Sequence, residues 1–279
     1  MVKNSATGKV IAGVVVGLIC GGVGASTVTN NNYKKELAKH KGDYLLEAVA
    51  WQQNSGECEA LRHQAYNVAT QNLLNDVKTK SDKPKAVILD IDETVVDNSP
   101  HSGYMAKTGN SFTMQNFNDW TKLEAAKPIA GAKKFLDTAQ KNDVQAFYVS
   151  NRDEKDQLAD TIANLKKDGL PYADKDHVLL VKPGEPMSKN ARWQEVAKNY
   201  DVLMYVGDNL NDFSKDFEKK SNADRKGLVD KDSNDFGSKY IMLPNASYGD
   251  FEGAIYNYNY KLSQQQKYDA IRSAVQGFE

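Results

Sequence analysis

The segment Lys85-Ala-Val-Ile-Leu-Asp90-Ile-Asp92-Glu-Thr94 joins a short apolar run to two closely spaced aspartates. An apolar run that contains β-branched residues is typical of a buried parallel strand. If the strand continues past Asp90, the two aspartate side chains point to one side of it and Ile91 points to the other. Neighbouring carboxylates repel each other unless a cation or a shared proton relieves them. By itself the pair is also typical of a turn or a helix cap, so the other strand ends decide between these interpretations.

Four further apolar runs predict that the chain forms an α/β fold. They lie at residues 144–149, 178–181, 202–206 and 240–243. Helical patterns alternate with the runs, at residues 132–141, 153–168, 189–199 and 211–218. Strands that alternate with helices imply right-handed crossovers and a parallel sheet that is covered on both faces. The prediction is therefore a Rossmann-like parallel sheet flanked by helices.

Two stretches lie outside this alternation. Apolar residues at helical spacing over 43–78 predict two helices that are broken near Ser55-Gly56, and we interpret 33–82 as an N-terminal helical segment. Residues 98–127 carry four aromatic side chains but no clear strand, which indicates a small, mainly helical cap inserted over the edge of the sheet. On this division the sheet-forming core covers residues 83–279.

Residues 1–32 have the order of an export signal. Two lysines precede the apolar run 10–19, small residues follow it, and three asparagines form a polar tether at the end. Cys20 stands where a bacterial lipoprotein is acylated, although Ile19 makes the lipobox irregular. Cleavage after Ala25 and an uncleaved membrane anchor are the alternatives. In each case we expect an exported protein of the cell envelope.

The charge balance disfavours nucleic acid as a partner. The chain has 36 basic and 37 acidic side chains and a formal net charge of −1. A protein with this balance has no global field that would attract it to a polyanion. A dinucleotide-binding fold is also disfavoured, because no Gly-x-Gly-x-x-Gly segment follows a predicted strand. We therefore expect a small-molecule ligand.

Polar side chains follow three more of the predicted strands. Ser150 follows the second strand, Lys189 comes after the third, and Asp208 and Asp212 follow the fourth. The carboxyl ends of parallel strands form the ligand-binding edge of an open α/β sheet, so we expect these residues near Asp90. A hard cation with oxygen ligands would relieve the carboxylate repulsion, which favours Mg²⁺ with Asp208 as a third carboxylate ligand.

The order of these motifs resembles that of the haloacid dehalogenase (HAD) superfamily, whose first motif is Asp-x-Asp-x-Thr. Asp90, Asp92 and Thr94 match it. More narrowly, four segments are similar to the bacterial class C acid phosphatases, a family that includes lipoproteins with 5′-nucleotidase activity. The segments are Leu89-Asp-Ile-Asp-Glu-Thr-Val-Val-Asp-Asn-Ser-Pro100, Tyr148-Val-Ser-Asn-Arg152, Tyr205-Val-Gly-Asp-Asn-Leu-Asn-Asp-Phe213 and Met242-Leu-Pro-Asn-Ala-Ser-Tyr-Gly249.

The resemblance implies an acid phosphatase that hydrolyses phosphomonoesters, with nucleoside 5′-monophosphates or nicotinamide mononucleotide as expected substrates. Asp90 would be the nucleophile that forms an aspartyl phosphate, and Asp92 the general acid and base. Mg²⁺ would be held by the Asp90 and Asp208 carboxylates and the Asp92 backbone carbonyl, while Asp212 steadies the metal shell. For the location, the resemblance implies an outer-membrane lipoprotein that is periplasmic or exposed at the surface.

The resemblance also implies a set of substrate-binding residues. Thr94, Ser150 and Lys189 would bind or position the phosphoryl group, which carries spread-out negative charge in the transition state. Phe112 and Tyr248 match family positions that stack on a nucleoside base.

Several residues keep two interpretations. Asn151 and Arg152 are either caps of the following helix or substrate ligands, whereas Phe117 and Trp120 are more typical of core residues. His101 stands where the family pattern leads us to expect an aromatic residue.

Three alternatives to the nucleotidase stay open. They are a phosphatase for other small phosphomonoesters, a phosphotransferase that uses an alcohol in place of water, and a surface-binding lipoprotein that has lost catalysis. The intact set of Asp90, Asp92, Lys189 and Asp208 argues against the last of these. A homo-oligomer is compatible with the sequence.

Overall fold

The computed structural model describes residues 43–278. The predicted signal or anchor at 1–32 therefore lies outside the described residues, as does the beginning of the segment 33–82. Within 43–278, none of the helices combines the length and the apolar character that crossing a bilayer requires.

The described residues form ten α-helices and seven β-strands. The helices are α1 (Asp43–Asn54), α2 (Gly56–Asp76), α3 (Ser99–Thr108), α4 (Met114–Thr121), α5 (Ala132–Lys141), α6 (Glu154–Lys167), α7 (Asn190–Asn199), α8 (Asn222–Lys231), α9 (Asp250–Ile255) and α10 (Gln264–Ala274). The strands are β1 (Lys85–Leu89), β2 (Val96–Asp97), β3 (Lys127–Pro128), β4 (Gln145–Asp153), β5 (Val178–Val181), β6 (Asp201–Gly207) and β7 (Tyr240–Met242).

Five strands form one parallel sheet in the order β5-β4-β1-β6-β7. Strand β1 is central, and the chain builds β4 and β5 on one side before it crosses to build β6 and β7 on the other. In such a sheet the crevice for a ligand opens at the carboxyl ends of the strands where the order reverses, here beside β1. The predicted α/β fold with its parallel sheet is confirmed.

Both faces of the sheet are covered, which explains why the strands are continuous apolar runs. Val87 and Leu89 point into a core formed with apolar side chains of α2 and α5. Ala86 and Ile88 point to the opposite face, where they pack with Trp193 of α7. Because side chains alternate along a strand, burial on both faces requires every position to be apolar.

The break between the first two helices has a local cause. Ser55 has an extended backbone, and its side chain accepts a hydrogen bond from the Cys58 amide at 3.0 Å. This contact satisfies one of the free amide groups in the first turn of α2. The predicted break near Ser55-Gly56 is confirmed.

The helix predicted at 211–218 is wrong. The structure has two short 3₁₀ turns there, Leu210–Asp212 and Lys215–Phe217, and a helix that we did not predict follows as α8. The side chains of Asn209 and Ser214 each accept a hydrogen bond from a backbone amide two residues further on. Short polar side chains that bind nearby amides compete with helix formation, so each turn ends after three residues.

Residues 98–127 contain α3 and α4, and a two-stranded antiparallel ribbon closes the base of this stretch. In the ribbon, Val96 pairs with Pro128 and Asp97 pairs with Lys127. The expectation that the stretch lacks a strand is therefore wrong at its last residue. The stretch is otherwise helical and irregular.

Candidate active site

The chain turns sharply after β1, and the turn separates the two aspartates of the first motif. Strand β1 ends at Leu89, and the Ile91 carbonyl accepts hydrogen bonds from the amides of Val95 and Val96 at 2.8 and 3.0 Å. The strand does not continue past Asp90, so the predicted side-by-side arrangement of the two carboxylates does not form. Asp90 and Asp92 instead bind different cationic side chains.

Asp90 belongs to a cluster of three carboxylates. One oxygen each of Asp90, Asp208 and Asp212 lies within 4.8 Å of the others, and this is the one such group of three potential metal ligands within residues 43–278. The Lys189 ammonium donates hydrogen bonds to Asp90 Oδ1 at 2.5 Å and to Asp212 Oδ1 at 2.7 Å. One ammonium group thus faces three carboxylates.

This imbalance changes the protonation of the cluster. Burial raises the pKa of the Asp90 carboxyl to about 7, although the adjacent Lys189 ammonium lowers it. Burial, together with the charges of Asp212 and Asp90, holds the pKa of Asp208 well above its usual range. A divalent cation would remove both penalties, because hard cations bind carboxylate oxygens and balance their charge. The donor set therefore fits the divalent metal that HAD enzymes generally use.

A tight loop holds Asp212 close to the end of β6. A side-chain carbon at Gly207 would lie 2.3 Å from the β-carbon of Asp212, so only glycine allows this approach. The Asn209 amide donates a hydrogen bond to Asp212 Oδ2 at 2.9 Å. Arg225 of α8 is buried and donates to the side-chain oxygens of Asn209 and Asn211 at 3.1 and 2.9 Å. These contacts fix the loop that carries two of the three carboxylates.

Thr94 lies beside a carboxylate and is fully buried. Its hydroxyl donates to Asp208 Oδ1 at 3.2 Å, and Asn245 donates to the other oxygen at 2.8 Å. The Thr94 carbonyl accepts a hydrogen bond from the buried Tyr66 hydroxyl at 2.7 Å. The observed contact of Thr94 is therefore with a candidate metal ligand, which it orients, and its predicted contact with phosphate stays a prediction.

Asp92 lies in a second polar cluster. Arg152 donates to Asp92 Oδ1 through Nη2 at 2.7 Å and through Nε at 3.1 Å, and Nε also reaches Oδ2 at 3.2 Å. The Ser150 hydroxyl donates to Oδ2 at 3.2 Å, and Asn98 donates to Oδ1 at 2.7 Å. The side chain of Asp92 is therefore outside the three-carboxylate cluster, and its predicted part in metal binding rests on the backbone carbonyl alone.

The interpretation of Asn151 and Arg152 as helix caps is wrong. The cap of α6 is Asp153, whose side chain accepts a hydrogen bond from the Asp156 amide at 3.0 Å. Arg152 pairs with Asp92, and the Asn151 oxygen accepts a hydrogen bond from Arg192 at 2.8 Å. Both residues thus lie in the last part of β4 and bind neighbouring side chains of the site.

The predicted base-stacking aromatics lie in different surroundings. Phe112 is 55 % exposed and packs on His101 and Phe117, with ring centroids 6.0 and 5.6 Å apart. Tyr248 is 37 % exposed, and its hydroxyl donates to the buried Glu93 carboxylate. Each ring keeps an accessible surface. Within residues 43–278, the rings of Phe112 and Tyr248 do not contact each other.

Trp120 packs against the main hydrophobic core, as expected, and both Trp120 and Phe117 also contact polar groups of the site. Trp120 is half-buried and donates through its indole to Asn98, and Phe117 lies 5.6 Å from the Arg152 guanidinium. His101 is buried between Phe112 and Phe117, so a histidine fills the place where an aromatic ring was expected.

Sequence reasoning missed five polar residues that support the site. They are Glu93, Asn98, Arg192, Arg225 and Asn245. Three of them, Glu93, Asn98 and Asn245, lie inside the segments that carry the family resemblance, and this position could have marked them as candidate site residues. Arg192 and Arg225 lie on helices in ordinary polar sequence, and nothing in the chain distinguishes them from surface arginines.

A groove of about 380 Å³ opens beside this edge of the sheet. It is lined by residues that include Asp208, Asn209, Arg225, Tyr248 and Phe251. Of the three carboxylates, Asp208 lines this groove, which is large enough for a small molecule to enter.

Comparisons with known proteins agree with this geometry. Residues 12–251 match the family model described as HAD superfamily, subfamily IIIB (acid phosphatase). The structure of the class C acid phosphatase from Bacillus anthracis is similar to this chain, with 37 % identity, a TM-score of 0.82, and coverage of 86 % of this chain and 100 % of that one. The structure of the same enzyme with tungstate bound has 38 % identity and a TM-score of 0.82, covering 85 % of this chain and 99 % of that one. The chain therefore belongs to the class C acid phosphatases of HAD subfamily IIIB, which are phosphomonoesterases.

Proposed function

We propose that this phosphatase hydrolyses nucleoside 5′-monophosphates, nicotinamide mononucleotide among them, through an aspartyl-phosphate intermediate on Asp90. The observation that carries the proposal is the contact of Asp90 with the Lys189 ammonium inside a carboxylate cluster, 2.5 Å from Nζ to Oδ1. A buried carboxylate beside a cation is held in place as a nucleophile, and the same cation can bind the oxygens of an incoming phosphate. The tungstate bound by the Bacillus anthracis enzyme is an oxyanion, as phosphate is, which supports an oxyanion site in this fold.

The reaction has two steps. In the first, a carboxylate oxygen of Asp90 bonds to phosphorus as the bond to the ester oxygen breaks, and Asp92 gives its proton to the departing alcohol. In the second, Asp92 takes a proton from water, the water oxygen bonds to phosphorus, and the bond to Asp90 breaks. Inorganic phosphate leaves, and both aspartates return to their starting state.

We propose Mg²⁺ as the metal, held by the carboxylates of Asp90 and Asp208 and by the backbone carbonyl of Asp92. When bound, it would balance the negative charge that the carboxylates and the substrate phosphate bring together. Asp212 keeps the Lys189 ammonium in place through its 2.7 Å hydrogen bond, and Lys189 in turn orients Asp90.

The proposed preference for nucleotides rests on Phe112 and Tyr248. Both rings keep an exposed surface, and the contact of the Tyr248 hydroxyl with Glu93 fixes one edge of its ring. A stacking face contributes about 0.5–1.5 kcal/mol beyond its burial, so removal of one ring should weaken nucleotide binding up to about tenfold.

A substrate panel at several pH values, with and without Mg²⁺, tests this function. Phe112→Ala and Tyr248→Ala should raise KM for a nucleoside monophosphate much more than for a small phosphate ester that lacks a base. Equal losses on both substrates would show that the rings only support the fold. Rapid quenching during turnover should trap phosphate on Asp90, and failure to label this residue would refute the intermediate.

We also propose that the protein is exported and retained in the cell envelope. The support is the order of charged, apolar and small residues in 1–32, with Cys20 as the candidate site of acylation. Mass spectrometry of the native N-terminus distinguishes an acylated Cys20, cleavage after Ala25 and a retained anchor. An unprocessed chain free in the cytoplasm would refute export.

A further inference from the structure

Asn98 connects the insertion to the second aspartate of the first motif. It is 2 % exposed and lies immediately before α3. Its side-chain nitrogen donates to Asp92 Oδ1, and its side-chain oxygen accepts from the Trp120 indole, both at 2.7 Å. Its backbone amide donates to Glu93 Oε1, also at 2.7 Å. Three parts of the site therefore meet at one buried amide residue.

The chemistry of the indole decides how the Asn98 amide is oriented. The indole nitrogen of Trp120 can only donate a hydrogen bond, so the Asn98 side chain must present its oxygen to it. The nitrogen of the same amide group then necessarily faces Asp92. A change at Trp120 can thus reach Asp92 through the orientation of a single planar group.

The two oxygens of Asp92 are held unequally. Oδ1 accepts short hydrogen bonds of 2.7 Å from Asn98 and from Arg152 Nη2. Oδ2 accepts only the longer contacts of 3.2 Å from the Ser150 hydroxyl and Arg152 Nε. Hydrogen bonds weaken as they lengthen, so Oδ1 is anchored and Oδ2 is the oxygen that can exchange its partners.

We propose that Asn98 and Trp120 are positioning residues that anchor Oδ1 of Asp92 and thereby aim Oδ2 at the leaving oxygen of the substrate. The inference rests on the proposed role of Asp92 as the general acid. It adds that helix α4 of the insertion takes part in the alignment of that acid, because α4 carries Trp120. The Ser150 hydroxyl and Arg152 Nε would release Oδ2 when the ester oxygen arrives.

Leaving groups of different basicity separate this role from a merely structural one. An alkoxide leaves only with help from the acid, whereas 4-nitrophenolate departs without much protonation. A misaligned general acid should therefore slow the hydrolysis of an alkyl phosphate more than that of 4-nitrophenyl phosphate. A general loss of folding would slow both reactions to the same extent.

The test compares Trp120→Phe, Asn98→Ala and Asp92→Asn on the two substrates in the full chain with Mg²⁺. Trp120→Phe keeps an aromatic ring and removes the N–H group, so it retains most of the packing of α4. We expect it to lower kcat/KM for the alkyl phosphate about tenfold and kcat/KM for 4-nitrophenyl phosphate far less, since removal of one general acid costs on the order of 10²–10⁴-fold. The comparison uses kcat/KM because this constant reports the first step, whereas kcat also contains the dephosphorylation step that both substrates share. Trp193→Phe makes the same change in the core on the other face of the sheet and should affect neither substrate.

A double variant completes the experiment. In the Asp92→Asn background, Trp120→Phe should cause no further selective loss, because its effect passes through Asp92. If Asp92→Asn is selective but Trp120→Phe and Asn98→Ala are not, the positioning role is refuted and the general acid stands. If Asp92→Asn lowers kcat/KM equally for both substrates, the proposed acid itself is refuted, and the positioning role with it.

Discussion

The site has two polar halves, which differ in how the charge of their buried carboxylates is balanced. In the first half, the carboxylates of Asp90, Asp208 and Asp212 lie together, and the single ammonium of Lys189 pairs with Asp90 and Asp212. In the second, Asp92 alone faces the guanidinium of Arg152 and receives further hydrogen bonds from Ser150 and Asn98. The first half has one positive charge for three carboxylates, and the second has one positive charge for one carboxylate.

The difference indicates where a metal would bind. A buried carboxylate is stable when protein donors and one opposite charge satisfy it, as for Asp92. A cluster with more carboxylates than cations raises the pKa of its members or takes up a cation, as expected for Asp90 and Asp208. Asp90 and Asp92 are two residues apart, yet the turn after β1 places them in opposite halves. Substitutions that change the charge of one half at a time test whether the two halves differ in this way.

The largest expected effect is loss of turnover on Asp90→Asn. An amide cannot serve as the nucleophile, so no phosphoenzyme should form, while the fold should persist because the substitution also relieves carboxylate repulsion. Asp92→Asn in the other half should leave a residual rate, about 10²–10⁴-fold below that of the wild type. Steady-state kinetics with circular dichroism as a folding check measures both. A near wild-type rate for Asp90→Asn would require a different mechanism.

The second prediction concerns stability in the balanced half. Arg152→Leu removes the partner of a carboxylate in a pair whose side chains are 3 % and 16 % exposed, and should lower the free energy of unfolding by about 3–5 kcal/mol. The pair of Lys198 and Glu195, whose side chains are 67 % and 65 % exposed, provides the control, because Lys198→Met removes an ion pair that water already screens and should change the free energy of unfolding far less. Urea unfolding compares the two variants. Similar losses in both would mean that the Arg152 pair is not effectively buried.

The third prediction is that metal stabilises the protein only through the acidic half. At a concentration one hundred times its Kd, Mg²⁺ should stabilise the fold by about 2.7 kcal/mol, and a chelator should reverse this effect and abolish activity. Asp208→Asn should lose the stabilisation, whereas Asp92→Asn should retain it. Thermal melts with and without Mg²⁺ decide the matter. Full activity in a metal-stripped sample would overturn the metal assignment.

The fourth prediction concerns the pH dependence of stability. Burial raises the pKa of Asp90 to about 7, well above the ordinary range of an aspartate, so the folded protein binds this proton more tightly than the unfolded chain. The metal-free protein should therefore gain stability from Asp90 as the pH falls from about 7 to about 4, and saturating Mg²⁺ should remove that gain. Melts across this range, with and without metal, measure the difference. A metal-free curve parallel to the metal-bound one would contradict the prediction.

His101 should act in the opposite direction and can be removed to sharpen that measurement. Burial lowers the pKa of the His101 imidazole, so the folded state disfavours its proton and loses stability as the pH falls below the ordinary range of histidine. His101→Phe keeps an aromatic side chain between Phe112 and Phe117 and removes this opposing contribution. The metal-dependent difference should persist in the variant, since it arises from the acidic half.

The sequence by itself determined the fold class and the edge of the sheet where chemistry is possible. Residues such as Val87 and Ile88 must all be apolar because both faces of a parallel sheet are buried, and this pattern is visible without coordinates. Asp90 and Asp208 follow strands, Ser150 lies near the end of one, and the carboxyl ends of parallel strands meet at one edge. The helix predicted at 211–218 failed because Asn209 and Ser214 capped short turns, a local competition that apolar spacing does not reveal.

Only the tertiary structure decided which carboxylate meets which cation. Asp92 binds Arg152 from 60 residues away in the chain, and Lys189 reaches back 99 residues to Asp90. The same holds for Asn98, which bridges Asp92 and Trp120. Hydrogen bonds and ion pairs form only when side chains are positioned to within a few tenths of an ångström. The sequence pattern records only which face or end of an element a residue occupies. The division of the site into an acidic half and a balanced half is therefore a property of the folded chain.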